Sequence, residues 1–132
     1  MKFLIAYVSG LIAFLAIDFV WLKYIALKFY QSNIGHLMTD KPNLLVAGLF
    51  YLVYVVGVVI LAVYPALEKQ SFLIAIGHGM LLGLIAYGTY DITNLATLRD
   101  WPVQVAVVDI IWGMVLTATV SGVSYLAARS FH

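Results

Sequence analysis

The sequence predicts an all-α protein, a bundle of four transmembrane helices with both termini on the same side of the membrane. Three observations carry this. Of 132 residues, 64% are hydrophobic and only 10% charged, against roughly 25% charged in a soluble domain. The mean hydropathy is +1.04. The charges fall between four apolar runs, each long enough to cross ~30 Å of hydrocarbon as helix, which takes about 20 residues. The lack of cysteine excludes disulfides, thiolate metal sites, covalent c-type haem and cysteine nucleophiles. A net charge of +1 with few basic residues argues against nucleic acid as a partner.

The first span is expected at about 3–22. A signal peptide is the competing reading, but the run exceeds an h-region of about 7–15 residues, and Asp18-Phe19-Val20-Trp21 stands where a cleavage site would be. The segment should stay in the mature protein. Lys23, Tyr24, Lys28 and Tyr30 mark an interface, amines snorkelling outward and phenols at headgroup level. Residues 29–42 read as the longest connection, with Phe29, Tyr30, Ile34, Leu37 and Met38 laying part of it along the membrane surface. Asp40 and Pro42 read as the start of the second span, at about 43–64, and Pro65 as its end. A short turn with Glu68 and Lys69 leads to the third span, about 71–95. This span holds His78, which reads as a hydrogen-bonded packing residue, and Gly79-x-x-x-Gly83, a spacing that lets a neighbouring helix approach closely. Asp100 reads as the N-cap of the fourth span, about 103–128, and Arg129 and His132 close the chain in water or headgroups. Residues 1–132 thus form a single integral membrane domain.

Chemistry concentrates at 83–95, GLIAYGTYDITNL, where a carboxylate, an amide, two threonines and two tyrosines end an apolar run. A charged side chain near the centre of a membrane helix costs ~2.5–3.5 kcal/mol on insertion scales, so Asp91 calls for a polar site between helices. At 1.5 Å rise per residue, Asp18 and Asp91 each lie about four residues before the end of a span and Asp109 about six after the start of one. All three therefore occupy the half of the membrane beneath the first and third loops. They should line one pocket with Trp21, Tyr87, Tyr90, Thr93, Asn94 and Trp112, where like charges at one depth favour a shared proton or a bound cation. Against this stands a purely structural use of the acids, with Lys23 and Arg99 near enough in sequence to neutralise two of them. Tyr51 and Tyr54 read as packing or hydrogen-bonding partners.

Residues 10–22, GLIAFLAIDFVWL, match 83–95 at six of 13 positions with the aspartate in register, which suggests a parallel two-plus-two internal repeat. Lysine and arginine leave the orientation open: Lys2, Lys69 and Arg129 fall on the terminal side, Lys23, Lys28, Lys41 and Arg99 on the other.

The run AYGTYDITNLATLRDWP, with DFVWL near the end of the first span and VDIIWG in the last, resembles the small bacterial membrane proteins grouped as domain of unknown function 2177. The similarity covers essentially the whole chain. It implies a four-helix protein of the bacterial inner membrane and picks out Tyr90, Asp91, Thr93, Asn94, Trp101 and Pro102 as the motif. It implies no reaction, ligand or catalytic residue.

Three function classes follow. The first is binding or proton-coupled transport of a small cationic or amphipathic molecule through the aspartate-rich pocket. The second is an intramembrane lipid-modifying enzyme using the aspartates as acid and base or as metal ligands. The third is a non-catalytic subunit or scaffold. Membrane lipids are the expected partners and a second copy of the chain a candidate one. Because the chain has no cysteine of its own, single cysteines at Ser71 and Arg99 should react with an impermeant maleimide from opposite sides; reaction from one side would refute the topology.

Overall fold

The structure is a computed structural model describing residues 1–131, so His132 lies outside the described residues. Four helices, α1 (Lys2–Leu37), α2 (Leu44–Lys69), α3 (Phe72–Thr97) and α4 (Val103–Arg129), are each long and apolar enough to span a membrane, and no strand occurs among the described residues. The protein is a multi-pass integral membrane protein. Its outward faces carry Leu45, Leu49, Val53, Leu73, Leu81, Ile85 and Ile111, all exposed, as contact with lipid requires.

α4 is the helix around which the others gather. Along α3 it packs backbone to backbone. A Cβ on Gly79 would stand 2.8 Å from both the Ser121 Cβ and the Thr117 carbonyl, one on Gly83 would fall on the Gly113 carbonyl, and one on Gly113 would fall on the Tyr87 ring. The small residues at this seam let the helices approach without side chains between them. Along its other flank α4 meets α1, where the Ser124 hydroxyl donates to the Ala6 carbonyl at 2.7 Å. α2 closes the bundle with Val55, Val58 and Val59, which join Phe14, Leu116, Val120 and Tyr125 in one buried cluster.

The helix ends depart from expectation in four places. α1 does not stop near Leu22 but continues to Leu37, passing through a π-helical turn at Trp21–Ala26. Its later part leaves the surface path expected for 29–42 and packs on the bundle, because Ile34 finds an apolar seat against Trp101, Val105 and Ala106. Twelve residues of α1 separate Asp18 from Tyr30, yet their partners on α4, Trp112 and Asp109, are three apart. Some ~18 Å of helix thus answers ~5 Å, so α1 cannot run alongside α4 here and instead swings across the open end of the bundle. The π turn sits where that change of direction is needed.

Pro65 does not end α2, which runs on to Lys69 after a second π turn at Val59–Val63. Proline removes the hydrogen bond that the carbonyl four residues back would accept, and that carbonyl, Leu61, instead meets His78 Nδ1 at 3.4 Å. This gives His78 a structural task in the half of the membrane away from the aspartates. Neither expected aspartate cap forms: the Asn43 side chain caps α2 by accepting from the Val46 N–H at 3.1 Å. Pro102 stands at the start of α4 without a side-chain cap, leaving Asp100 to pair with His36 at 3.1 Å.

The glycine seam is testable. Gly83→Ala and Gly113→Ala should each destabilise the folded protein by about 1–3 kcal/mol through overpacking, read as a lower melting temperature in detergent. Gly57→Ala, which has open space at its Cβ, should leave it unchanged. Equal effects at all three positions would contradict the close α3–α4 contact.

Candidate functional site

Where α1 crosses the end of the bundle it roofs a cavity of about 620 Å³. All four helices line it. α1 contributes Phe14, Asp18, Trp21 and Leu22, then Tyr30 and Ile34 beyond the π turn, with Met38 just past its end. α2 contributes Phe50, Tyr51 and Tyr54, and α3 contributes Ala86, Tyr87 and Tyr90. Trp101 from the third loop and Val105, Asp109 and Trp112 from α4 complete the wall. Helical spacing explains the membership: Phe14, Asp18 and Trp21 recur every three or four residues on one face of α1, as do Val105, Asp109 and Trp112 on α4.

The polar groups are arranged in pairs. Tyr30 donates its hydroxyl to Asp109 Oδ1 at 2.7 Å, so the roof is pinned to the wall by a hydrogen bond to a carboxylate. The Trp112 indole N–H points at Asp18 Oδ1 at 3.4 Å, a long contact. Trp21 and Trp112 stack face to face with centroids 4.3 Å apart and planes 6° from parallel. Tyr54 and Thr117 share a hydrogen bond at 2.8 Å. Tyr87 packs into the gap above Gly113, edge-on to Tyr54 at 6.4 Å, while Tyr90 meets Trp101 edge-on at 5.7 Å. The Trp21 and Trp101 indole nitrogens are buried without hydrogen-bond partners.

Of the residues singled out in the sequence, the structure brings Asp18, Trp21, Tyr87, Tyr90, Asp109 and Trp112 onto this one wall. Asp91 is not on the wall; it is fully buried, against Asp109 and Trp101. Asn94 is half-buried beside Tyr90, and Thr93 is exposed on the outer face of α3. No group of three His, Cys, Asp or Glu side chains close enough to hold a metal occurs among the described residues, so the three aspartates do not form a joint ligand set. Nor do the nearby bases neutralise them. The Lys23 ammonium lies over the Phe19 and Tyr24 rings at 5.6 and 5.4 Å. Arg99 borders a shallower rim pocket with Asn33, His36, Asp100, Trp101 and Pro102, and His36–Asp100 at 3.1 Å is the only contact of a basic with an acidic side chain within salt-bridge distance among the described residues.

Sequence reasoning missed Tyr30, Ile34 and Met38, because it treated that segment as a surface connection. Tyr51 and Tyr54, expected as packing or hydrogen-bonding partners, also face the cavity, and Tyr54 makes such a bond to Thr117. One signal was present: Tyr30, Ile34 and Leu37 recur at helical spacing.

A family model described as "Predicted membrane protein (DUF2177)" matches residues 3–126. The chain belongs to this family. No curated protein and no solved structure matches it. Within the family match lie the whole cavity wall and the AYGTYDITNLATLRDWP run, which places Trp101 on the wall, Asp91 behind it and Thr93 outside.

The Tyr30–Asp109 bond should couple the roof to α4. A double-mutant cycle with Tyr30→Phe and Asp109→Asn is expected to give a coupling of about 1.5–3 kcal/mol, as for a hydrogen bond to a charged group. Additive effects on unfolding would show that the bond contributes nothing.

Proposed function

We propose that this protein binds a small amphipathic cation in the roofed cavity. The observation that carries the reading is the composition of the wall: Asp18 and Asp109 face the space, most other lining side chains are aromatic, and no Lys, Arg or His is among the described residues that line it. A cation there gains Coulomb attraction from two carboxylates in a region poor in water, and π-faces for its alkyl or aryl substituents. A cavity of about 620 Å³ suits a small molecule. The apolar lining from Phe14, Leu22, Ile34, Met38 and Phe50 would take up the uncharged part. Carriage of that cation across the bilayer is the physiological use this reading favours. A bacterial inner membrane is the setting that fits, since helical bundles serve such membranes and β-barrels the outer one.

The test uses tetraphenylphosphonium and its neutral relative triphenylphosphine oxide, titrated calorimetrically into the detergent-solubilised protein. The cation should bind saturably and the neutral compound at least ~10-fold more weakly, a difference of about 1.4 kcal/mol. Asp18→Asn and Asp109→Asn should each erase most of that preference. Equal affinities for the two compounds, or wild-type preference in both variants, would refute the proposal.

A further inference from the structure

Asp91 has no part in the wall, yet it is the most enclosed acid in the chain. It is fully buried, and neither carboxyl oxygen has a hydrogen-bond partner. The groups that face it are Asp109 from α4, Tyr30 from α1, its neighbour Tyr90 on α3 and the Trp101 indole from the third loop, with no base among them. An ionised carboxylate in that position would lack water and a counter-charge while standing against a second acid, with the Trp101 indole N–H to offset only part of that. Asp109 is placed differently: it borders the cavity and takes the Tyr30 hydroxyl at 2.7 Å, so its charge has a donor and open space. Two adjoining acids with such unequal surroundings hold one proton between them more readily than none.

We infer that Asp91 and Asp109 form a proton-storing pair, the proton resident on Asp91 when no cation is bound and given up when a cation occupies the cavity. The inference rests on the cation-binding reading of the cavity and adds its regulation. The step balances simply. The O–H bond of Asp91 breaks, the proton passes by way of Asp109 to a water molecule, and of the two carboxylates that remain Asp109 faces the positive charge of the ligand with Asp91 behind it. Entry of a cation thereby becomes linked to departure of a proton, and by reciprocity acid expels the cation. Asp18 stands apart from this pair on α1, its Oδ1 3.4 Å from the Trp112 indole nitrogen, and takes no part in the exchange.

Two measurements decide this. Infrared spectra at neutral pH should show the carbonyl stretch of a protonated carboxyl group, shifted in heavy water, absent from Asp91→Asn and retained in Asp109→Asn. In the wild type the band should fall when saturating tetraphenylphosphonium is added, so the test survives even if Asp91→Asn does not fold. Calorimetry in buffers of different ionisation enthalpy should show release of one proton per cation bound by the wild type and none by Asp91→Asn. A wild type without the band, a band that persists in Asp91→Asn, or binding heats independent of buffer would overturn the pair. If the cation does not bind at all, the cation reading of the cavity fails, while the band still decides whether Asp91 holds a proton.

Discussion

Between α3 and α4 there is room for backbone and little else. Gly79, Gly83 and Gly113 remove the side chains that would hold the two helices apart, and the rest of the arrangement follows from how near they come. Close approach sets Asp91 against Asp109, and it leaves a hollow over Gly113 that only the flat face of Tyr87 fills. Wider spacing would admit lipid or water between the acids and dissolve the contrast between them. In hydrocarbon there is no hydrophobic drive to bring helices together, so this packing and a small number of interhelical hydrogen bonds must hold the bundle.

Polar side chains in the bundle are treated in two ways. In the terminal half, hydroxyls are spent on nearby carbonyls: Ser9 on Ile5, Thr119 on Val115, Ser124 on Ala6. These bonds satisfy the side chain and ask for nothing from a ligand. Buried polar atoms without partners occur in both halves: the Ser121 and Tyr125 hydroxyls in the terminal half, the indoles of Trp21 and Trp101 and both oxygens of Asp91 in the loop half. Polar groups stripped of water and left unpaired destabilise a fold, and those of the loop half stand on the cavity wall or just behind it.

The number of spans, the common depth of the three aspartates and the glycine contact were legible in the sequence, because each depends on composition or on a fixed helical rise and spacing. Depth alone put Asp18, Asp91 and Asp109 together. Azimuth was not legible to the same degree: Thr93 and Asn94 stand within three residues of Asp91 but at other angles around α3, and one of them faces outward. The roof was missed for a different reason. Lys23, Tyr24, Lys28 and Tyr30 carry the signature of a membrane interface, and nothing local shows that a helix with that signature turns back over the bundle. That outcome depends on Ile34 and Tyr30 finding Val105 and Asp109, contacts between residues more than seventy positions apart. Proline at position 65 misled as well, since a π turn at Val59–Val63 precedes it, the helix runs on to Lys69, and the Leu61 carbonyl meets His78 on another helix.

All three tryptophans of the chain, Trp21, Trp101 and Trp112, border the one cavity. The indole emission of this protein therefore originates wholly at that place, with no background from elsewhere in the fold. Two of the indoles lie parallel at 4.3 Å, close enough for their excited states to mix and to give the folded protein an exciton signature in the far-ultraviolet, where the strong indole band lies. Tilting α1 about its π turn would part the stack and erase that signature, so the motion of the roof carries an optical label that the sequence itself supplies.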